Sequence, residues 1–93
     1  MLPANLRAEA RRRLRQAVTP ADLVGATLDP LPAALALLER GSRWPPPRDR
    51  LGRLAAAIAA VVLQLERREQ LSRDRAVAVV SQSFVWLTAG GGP

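Results

Sequence analysis

The side chains that could carry out chemistry in this 93-residue sequence are carboxylates, hydroxyls and arginines. The closest pair of carboxylates, Glu66 and Glu69, is three residues apart in a segment with helical character. At that spacing two carboxylates can face each other and share acid–base work or a Mg²⁺ ion. Arg67 and Arg68 lie between them, and no known motif surrounds the pair. We therefore interpret it as the mixed-charge, solvent-exposed end of a helix.

Hydroxyl groups and glycines give no catalytic arrangement either. Ser81 and Ser83 lie in an apolar segment, where each hydroxyl can donate a hydrogen bond to the preceding helical turn. Histidine, cysteine, lysine and tyrosine do not occur, which removes the usual bases, thiol nucleophiles, zinc ligands and Schiff-base lysines. The glycines form no phosphate-binding loop. The sequence therefore predicts a protein that is not an enzyme and that uses no metal and no cofactor.

Arginine supplies all 14 basic residues, which against 8 acidic residues give a net charge of +6. Lysine and tyrosine are absent and asparagine, isoleucine and phenylalanine occur once each, so the arginine excess fits a GC-rich coding sequence and is not itself evidence of function. Its distribution is more informative. Residues 1–18 and residues 40–53 each carry five arginines and one acid, whereas residues 19–39 carry three acids and no base. The two clusters could form one patch or pair with the acidic segment between them.

Phosphate binding is one functional interpretation of these clusters, because arginine grips phosphate oxygens through two parallel hydrogen bonds. The candidate contacts are Arg7, Arg11, Arg12, Arg15, Arg48, Arg50 and Arg53. Arg7, Arg11 and Arg15 lie on one side of the first predicted helix, while Arg13 falls within its apolar stripe, where its stem can cover apolar surface. No helix-turn-helix pattern is present, so such a protein would bind nucleic acid without reading its sequence.

Proline, glycine and capping residues divide the chain into helices. The expected helices run from Pro3 to about Val18, over two turns from Pro20, from Pro30 to a stop at Gly41, from about Arg48 to Gln70 and from Arg73 to about Leu87. Residues 42–47 form a proline-rich linker and residues 89–93 a glycine-rich tail. Residues 76–87 are rich in β-branched and aromatic types, which also suits a strand. No other segment offers a pairing strand, so a helix is favoured.

The segment from Arg48 to Gln70 is the centre of the predicted fold. Leu51, Leu54, Ile58, Val62 and Leu65 define one apolar face, and alanines and a leucine make the opposite side apolar too. A helix that is apolar all round is either central in its own fold or shared with another chain. The sequence predicts a single all-α domain, residues 1–93, in which four to five helices surround this Ala/Leu/Val-rich helix.

A thin apolar core makes a non-catalytic interaction or adaptor protein the leading functional prediction. A chain of this length buries only about 60–65% of its unfolded surface, and alanine supplies much of the apolar content. We therefore expect self-association or a protein partner. The interface candidates are Ala56, Ala60, Leu63, Phe84, Trp86 and Trp44. Trp44 has two interpretations, a plug that packs the linker onto the core and an exposed anchor for a partner.

Membrane association is not expected. The longest apolar run, residues 54–63 with Leu65 beyond it, is shorter than the roughly 20 residues that span a bilayer. The first helix is arginine-rich and amphipathic but has few large apolar side chains, so it would insert weakly at a membrane surface. The N-terminal region shows no secretory signal pattern, which predicts a cytoplasmic location.

Overall fold

The computed structural model describes residues 4–23, 29–41 and 43–90, and every regular element within these ranges is a helix. The helices are α1 (Ala4–Ala17), α2 (Pro20–Leu23), α3 (Leu31–Arg40), α4 (Arg50–Arg68) and α5 (Arg73–Thr88). The prediction of an all-α fold with four to five helices is confirmed. Residues 76–87, for which a strand was the alternative, are helical.

Side-chain caps determine where the last two helices begin. The Asp49 carboxylate accepts a hydrogen bond from the Gly52 N–H at 2.7 Å, and the Ser72 hydroxyl accepts one from the Arg75 N–H at 3.3 Å. The helix predicted from Arg48 to Gln70 is therefore too long at its start, because Asp49 is an extended cap residue. It also ends earlier, since Gln70 has a positive φ of 54°.

Polar side chains and prolines also mark the starts of α2 and α3. The Thr19 hydroxyl accepts a hydrogen bond from the Asp22 N–H at 3.3 Å, as expected for a cap preceding Pro20. The second turn predicted for this helix lies outside the described residues. The Asp29 carboxylate accepts from the Leu31 N–H at 3.0 Å, and Pro30 serves as the N-cap, so α3 begins one residue later than predicted.

The longest helix, α4, lies at the centre of the fold. It packs against α1, α3 and α5, and α1 packs in addition against α5. Its buried residues are Leu54, Ala55, Ala57, Ile58, Ala59, Val61, Val62 and Leu65. The predicted central helix is confirmed. Packing within the chain buries one of its sides, whereas Ala56, Ala60 and Leu63 on the other side are half-buried.

The smaller helix α3 lies at the edge of the bundle and packs mainly against α4. Leu31, Ala34, Leu35 and Leu38 have the spacing of one apolar helical face. Ala34 and Leu38 are buried, but the Leu35 side chain is 38% exposed. Leu35 is left at the edge of this face because a helix with one main neighbour buries a narrow stripe.

Alanine allows the helices to approach one another closely. Ala10, Ala34, Ala59 and Ala76 are completely buried at points on four different helices. The radius of gyration is 12.2 Å, which matches the about 12 Å expected for a compact 93-residue domain. None of the described helices is both long and apolar enough to cross a membrane.

Candidate functional site

Arg50 and Arg53 of the second basic cluster bind the acidic segment of their own chain. Arg53 donates to the Asp22 carboxylate at 3.1 Å, and Arg50 donates to the backbone carbonyl of Asp22 at 2.9 Å and to that of Ala21 at 3.4 Å. The hydrogen bond from Arg53 is the main cause that lowers the pKa of Asp22 below its ordinary value. Both arginines were predicted to contact nucleic acid. In the structure they hold α2 against the start of α4, and the Arg53 side chain is 50% exposed.

Two arginines of the first cluster share one carboxylate. Arg12 and Arg13 both donate to Glu9, Arg13 at 2.9 Å, and Arg13 also donates to the Gln64 side chain at 2.8 Å. The hydrogen bond from Arg12 is the main cause that lowers the pKa of Glu9. Arg12, a predicted phosphate contact, is thus ion-paired, and the one carboxylate offsets one of the two arginine charges. Arg13 connects α1 to α4 with its side chain only 16% exposed, as expected for an arginine at the edge of an apolar stripe.

The first cluster also forms a notch between α1 and α5, which we call the α1–α5 notch. Its volume is about 360 Å³, and its walls are Arg7, Arg11, Gln82, Ser83 and Trp86. The guanidinium carbon of Arg11 lies 4.4 Å from the centroid of the Trp86 ring, a cation–π contact. Within the described ranges neither Arg7 nor Arg11 contacts a carboxylate. The notch therefore combines two uncompensated positive charges with an aromatic ring.

The remaining interface candidates divide between core and surface. Phe84, a predicted interface residue, is only 9% exposed and belongs to the core. Ala60, Leu63 and Trp86 are half-buried. Leu63 packs against the core and also lines a polar pocket of about 350 Å³ that includes Arg13, Arg67 and Arg68.

An apolar groove follows the junction of α3, residues 45–47 and α4, and we call it the α3–α4 groove. Its volume is about 290 Å³. The lining consists of Ala33, Ala36 and Leu37 from α3, Pro45, Pro46 and Pro47, and Gly52, Ala55 and Ala56 from α4, together with Arg40 and Arg48. Both arginines are exposed and make no ion pair within the described ranges. The groove is thus an apolar surface with two free cations beside it.

Trp44 holds one wall of this groove in place. Its side chain is half-buried and packs against the core, directly before the three prolines. At Gly52, a side chain would place a Cβ 3.1 Å from the Asp49 carboxylate and 3.4 Å from the Pro47 Cβ. The absence of a side chain there lets residues 45–47 lie close to the first turn of α4.

Sequence reasoning found Ala56, Arg48 and Trp44 but not the groove that brings them together. Ala36, Leu37 and Arg40 lie on α3, with the spacing of one helical face. That face could have been recognised as apolar with a charged end. Nothing in the sequence, however, indicated that the prolines return to cover its edge.

The described residues contain no group of three or more histidine, cysteine, aspartate or glutamate side chains that could hold a metal ion. No protein-family model matches the chain, and no match is found among curated proteins or solved structures. The function is therefore inferred from the groove and the notch alone.

Proposed function

We propose that this chain is a non-catalytic interaction protein that binds an acidic, apolar segment of a partner protein in the α3–α4 groove. The observation that carries the proposal is the apolar lining beside two exposed arginines, Arg40 and Arg48, which pair with no carboxylate in the part of the chain that the structure describes. Grooves of this kind accept the apolar side chains of a peptide, while charges at the edge select for opposite charge. A segment with apolar residues on one face and carboxylates next to them fits both features.

A second copy of the chain is a poorer fit to the groove than a different, acidic protein. Each copy has a net charge of +6, so two copies repel each other. Three of its eight acidic residues, Glu9, Asp22 and Glu66, already bind arginines of the same chain. Charge complementarity therefore favours a foreign acidic segment.

The groove is built from restrained parts. The three prolines have fixed φ angles, and Trp44 packs the connection onto the core. The Asp49 cap fixes the first turn of α4 on the other side. A binding surface that is ordered before its ligand arrives loses less conformational entropy on binding.

Selection from a random 12-residue peptide display library tests this function, with the immobilised full chain as bait. We expect the selected peptides to combine aspartate or glutamate with large apolar residues. Ala36→Trp fills the groove from an exposed position and should weaken the binding of a selected peptide at least tenfold, as measured by fluorescence anisotropy. Ala8→Trp is the matched control, since Ala8 is an exposed alanine on α1, and it should leave the affinity unchanged.

Charge reversal at the groove is the second arm of this experiment. Arg48→Glu should weaken the selected acidic peptides and strengthen versions in which lysine replaces their acids. Selected peptides that are basic, or that bind Ala36→Trp as tightly as the original chain, contradict the proposal. Sedimentation that shows a dimer dissociated by Ala36→Trp also contradicts it, because a second copy would then occupy the groove.

A further inference from the structure

We infer that Arg7, Arg11 and Arg15 form a phosphate-binding track on α1 that takes the backbone of a single-stranded nucleic acid, with the α1–α5 notch as its strongest position. This site lies on different helices from the α3–α4 groove and does not depend on it. The three arginines follow one another at intervals of four residues, so they share one side of α1.

Arg11 is held ready for an anion by Trp86. Its guanidinium carbon lies 4.4 Å from the centroid of the indole ring. The cation–π attraction holds one face of the guanidinium against the ring and so restricts the rotamers of the side chain. A guanidinium carries its N–H donors along the edge of its plane, and the cation–π contact with the ring uses none of them as a hydrogen-bond donor. Those donors have the geometry that binds two oxygens of one phosphate.

Arg7 adds a second positive charge that no carboxylate of the described residues compensates. Two like charges four residues apart on a helix destabilise it, and no carboxylate in the described ranges offsets them. The neighbouring Arg12 and Arg13, in contrast, share Glu9. A bound phosphate would relieve this repulsion, and the Gln82 amide in the same notch offers a further polar contact.

Arg15 extends the site beyond a single phosphate. It is exposed, and it follows Arg11 by four residues, a rise of about 6 Å along the helix. Three cations in a row suit linked phosphates better than one free anion, and a flexible single strand can adjust the distances between its phosphates to match. Such contacts read the backbone and not the base sequence.

The experiment measures the affinity of the full chain for a fluorescein-labelled 12-nucleotide oligothymidylate by anisotropy at 50 to 200 mM salt. Each phosphate contact with a single strand contributes a slope of about −0.7 to log Kobs against log salt. Three contacts therefore predict a slope near −2. Arg7→Gln, Arg11→Gln and Arg15→Gln should each make the slope shallower by about 0.7. Arg43→Gln, which removes one exposed arginine from the α3–α4 connection, is the control and should leave the slope unchanged.

Two further variants separate the stacked geometry from net charge. Arg11→Lys keeps the charge but loses the planar group, and Trp86→Leu removes the ring beneath it. Each should weaken oligothymidylate binding about two- to fivefold, the change that corresponds to a cation–π contact of roughly 0.5–1 kcal/mol at an exposed site. Circular dichroism verifies that Trp86→Leu retains its helices, and Arg11→Lys tests the geometry independently of that result.

Four results would overturn the inference. The first is a slope near zero, and the second is a slope that Arg43→Gln reduces as much as Arg11→Gln does. The third is an affinity for inorganic pyrophosphate that equals the affinity for the oligonucleotide, since the notch would then be a site for small anions. The fourth is tighter binding of a 12-base-pair duplex than of the single strand.

Discussion

Replacing Leu65 by alanine tests whether α4 organises the whole fold and with it both candidate sites. Leu65 lies near the end of α4 with no exposed surface, in a core that joins residues from α1, α3, α4 and α5. If α4 is central, a cavity at this position weakens the packing of several helices together. The substitution should then destabilise the whole domain and not one end of it.

The size of the effect follows from the burial. The change from leucine to alanine removes three buried carbon atoms, at about 0.8 kcal/mol each, so the loss of transfer free energy is about 2.4 kcal/mol. The cavity left behind adds to this, and measured values for such changes run from about 2 to 5 kcal/mol. We expect the free energy of unfolding to fall by about 3 kcal/mol. For a domain of this size, that corresponds to a decrease in Tm of roughly 12–24 °C.

Urea unfolding followed by circular dichroism measures the change, and Leu35→Ala is its matched control. Leu35 is the same residue type on a helix at the edge of the bundle, but it is 38% exposed. Its replacement should cost about 1 kcal/mol or less, because only part of the side chain leaves an apolar environment. The two variants should also unfold with similar m-values, since both expose nearly the same surface.

Equal losses of stability in Leu65→Ala and Leu35→Ala would refute the reasoning. That result would mean that α4 is not buried as described. A second refuting result is a biphasic transition for Leu65→Ala in which one helix unfolds separately from the rest.

Two further predictions concern the residues that position the sites. Asp49→Ala should lower the free energy of unfolding by about 1 kcal/mol in urea titrations, because it removes the cap that accepts a hydrogen bond from the Gly52 N–H at 2.7 Å; an unchanged midpoint would contradict this role. Because Arg53 lowers the pKa of Asp22 from its ordinary 3.8, Asp22 contributes stability above that pH and loses it as pH falls through the lower folded-state pKa. Asp22→Asn and Arg53→Gln should each make the loss of stability below about pH 4 shallower, whereas a steeper loss in either variant would argue against the ion pair.

Local features of the sequence were sufficient for most of the fold. Thr19 and Ser72 each accept a hydrogen bond from the backbone N–H three residues later, and such signals depend only on neighbouring residues. Asp49 acts in the same way, but the helix predicted from Arg48 missed this cap. The repeat of apolar residues in α4 likewise indicates burial, since a helix that is apolar on every side needs neighbours on every side.

The candidate sites could be predicted only in part, because each depends on contacts between residues far apart in the chain. The sequence placed Arg53 in a basic cluster. Only the fold shows that Arg53 forms an ion pair with Asp22, which lies 31 residues earlier in the chain. Phe84 is an aromatic residue in the apolar last helix and was therefore an interface candidate, yet the packing of α5 directs its side chain into the core. Arg11 and Trp86 meet only because α1 and α5 pack together.

The sequence by itself determined the helices, the caps of α2 and α5, the central position of α4 and the net positive charge. These properties follow from periodicity, local hydrogen bonding and composition, which do not require knowledge of distant contacts. Only the tertiary structure decided which arginines are neutralised and which stay free, because an ion pair depends on the distance between two side chains in space. It also formed the α3–α4 groove, since the proline segment becomes a wall only when it folds back against α3 and α4.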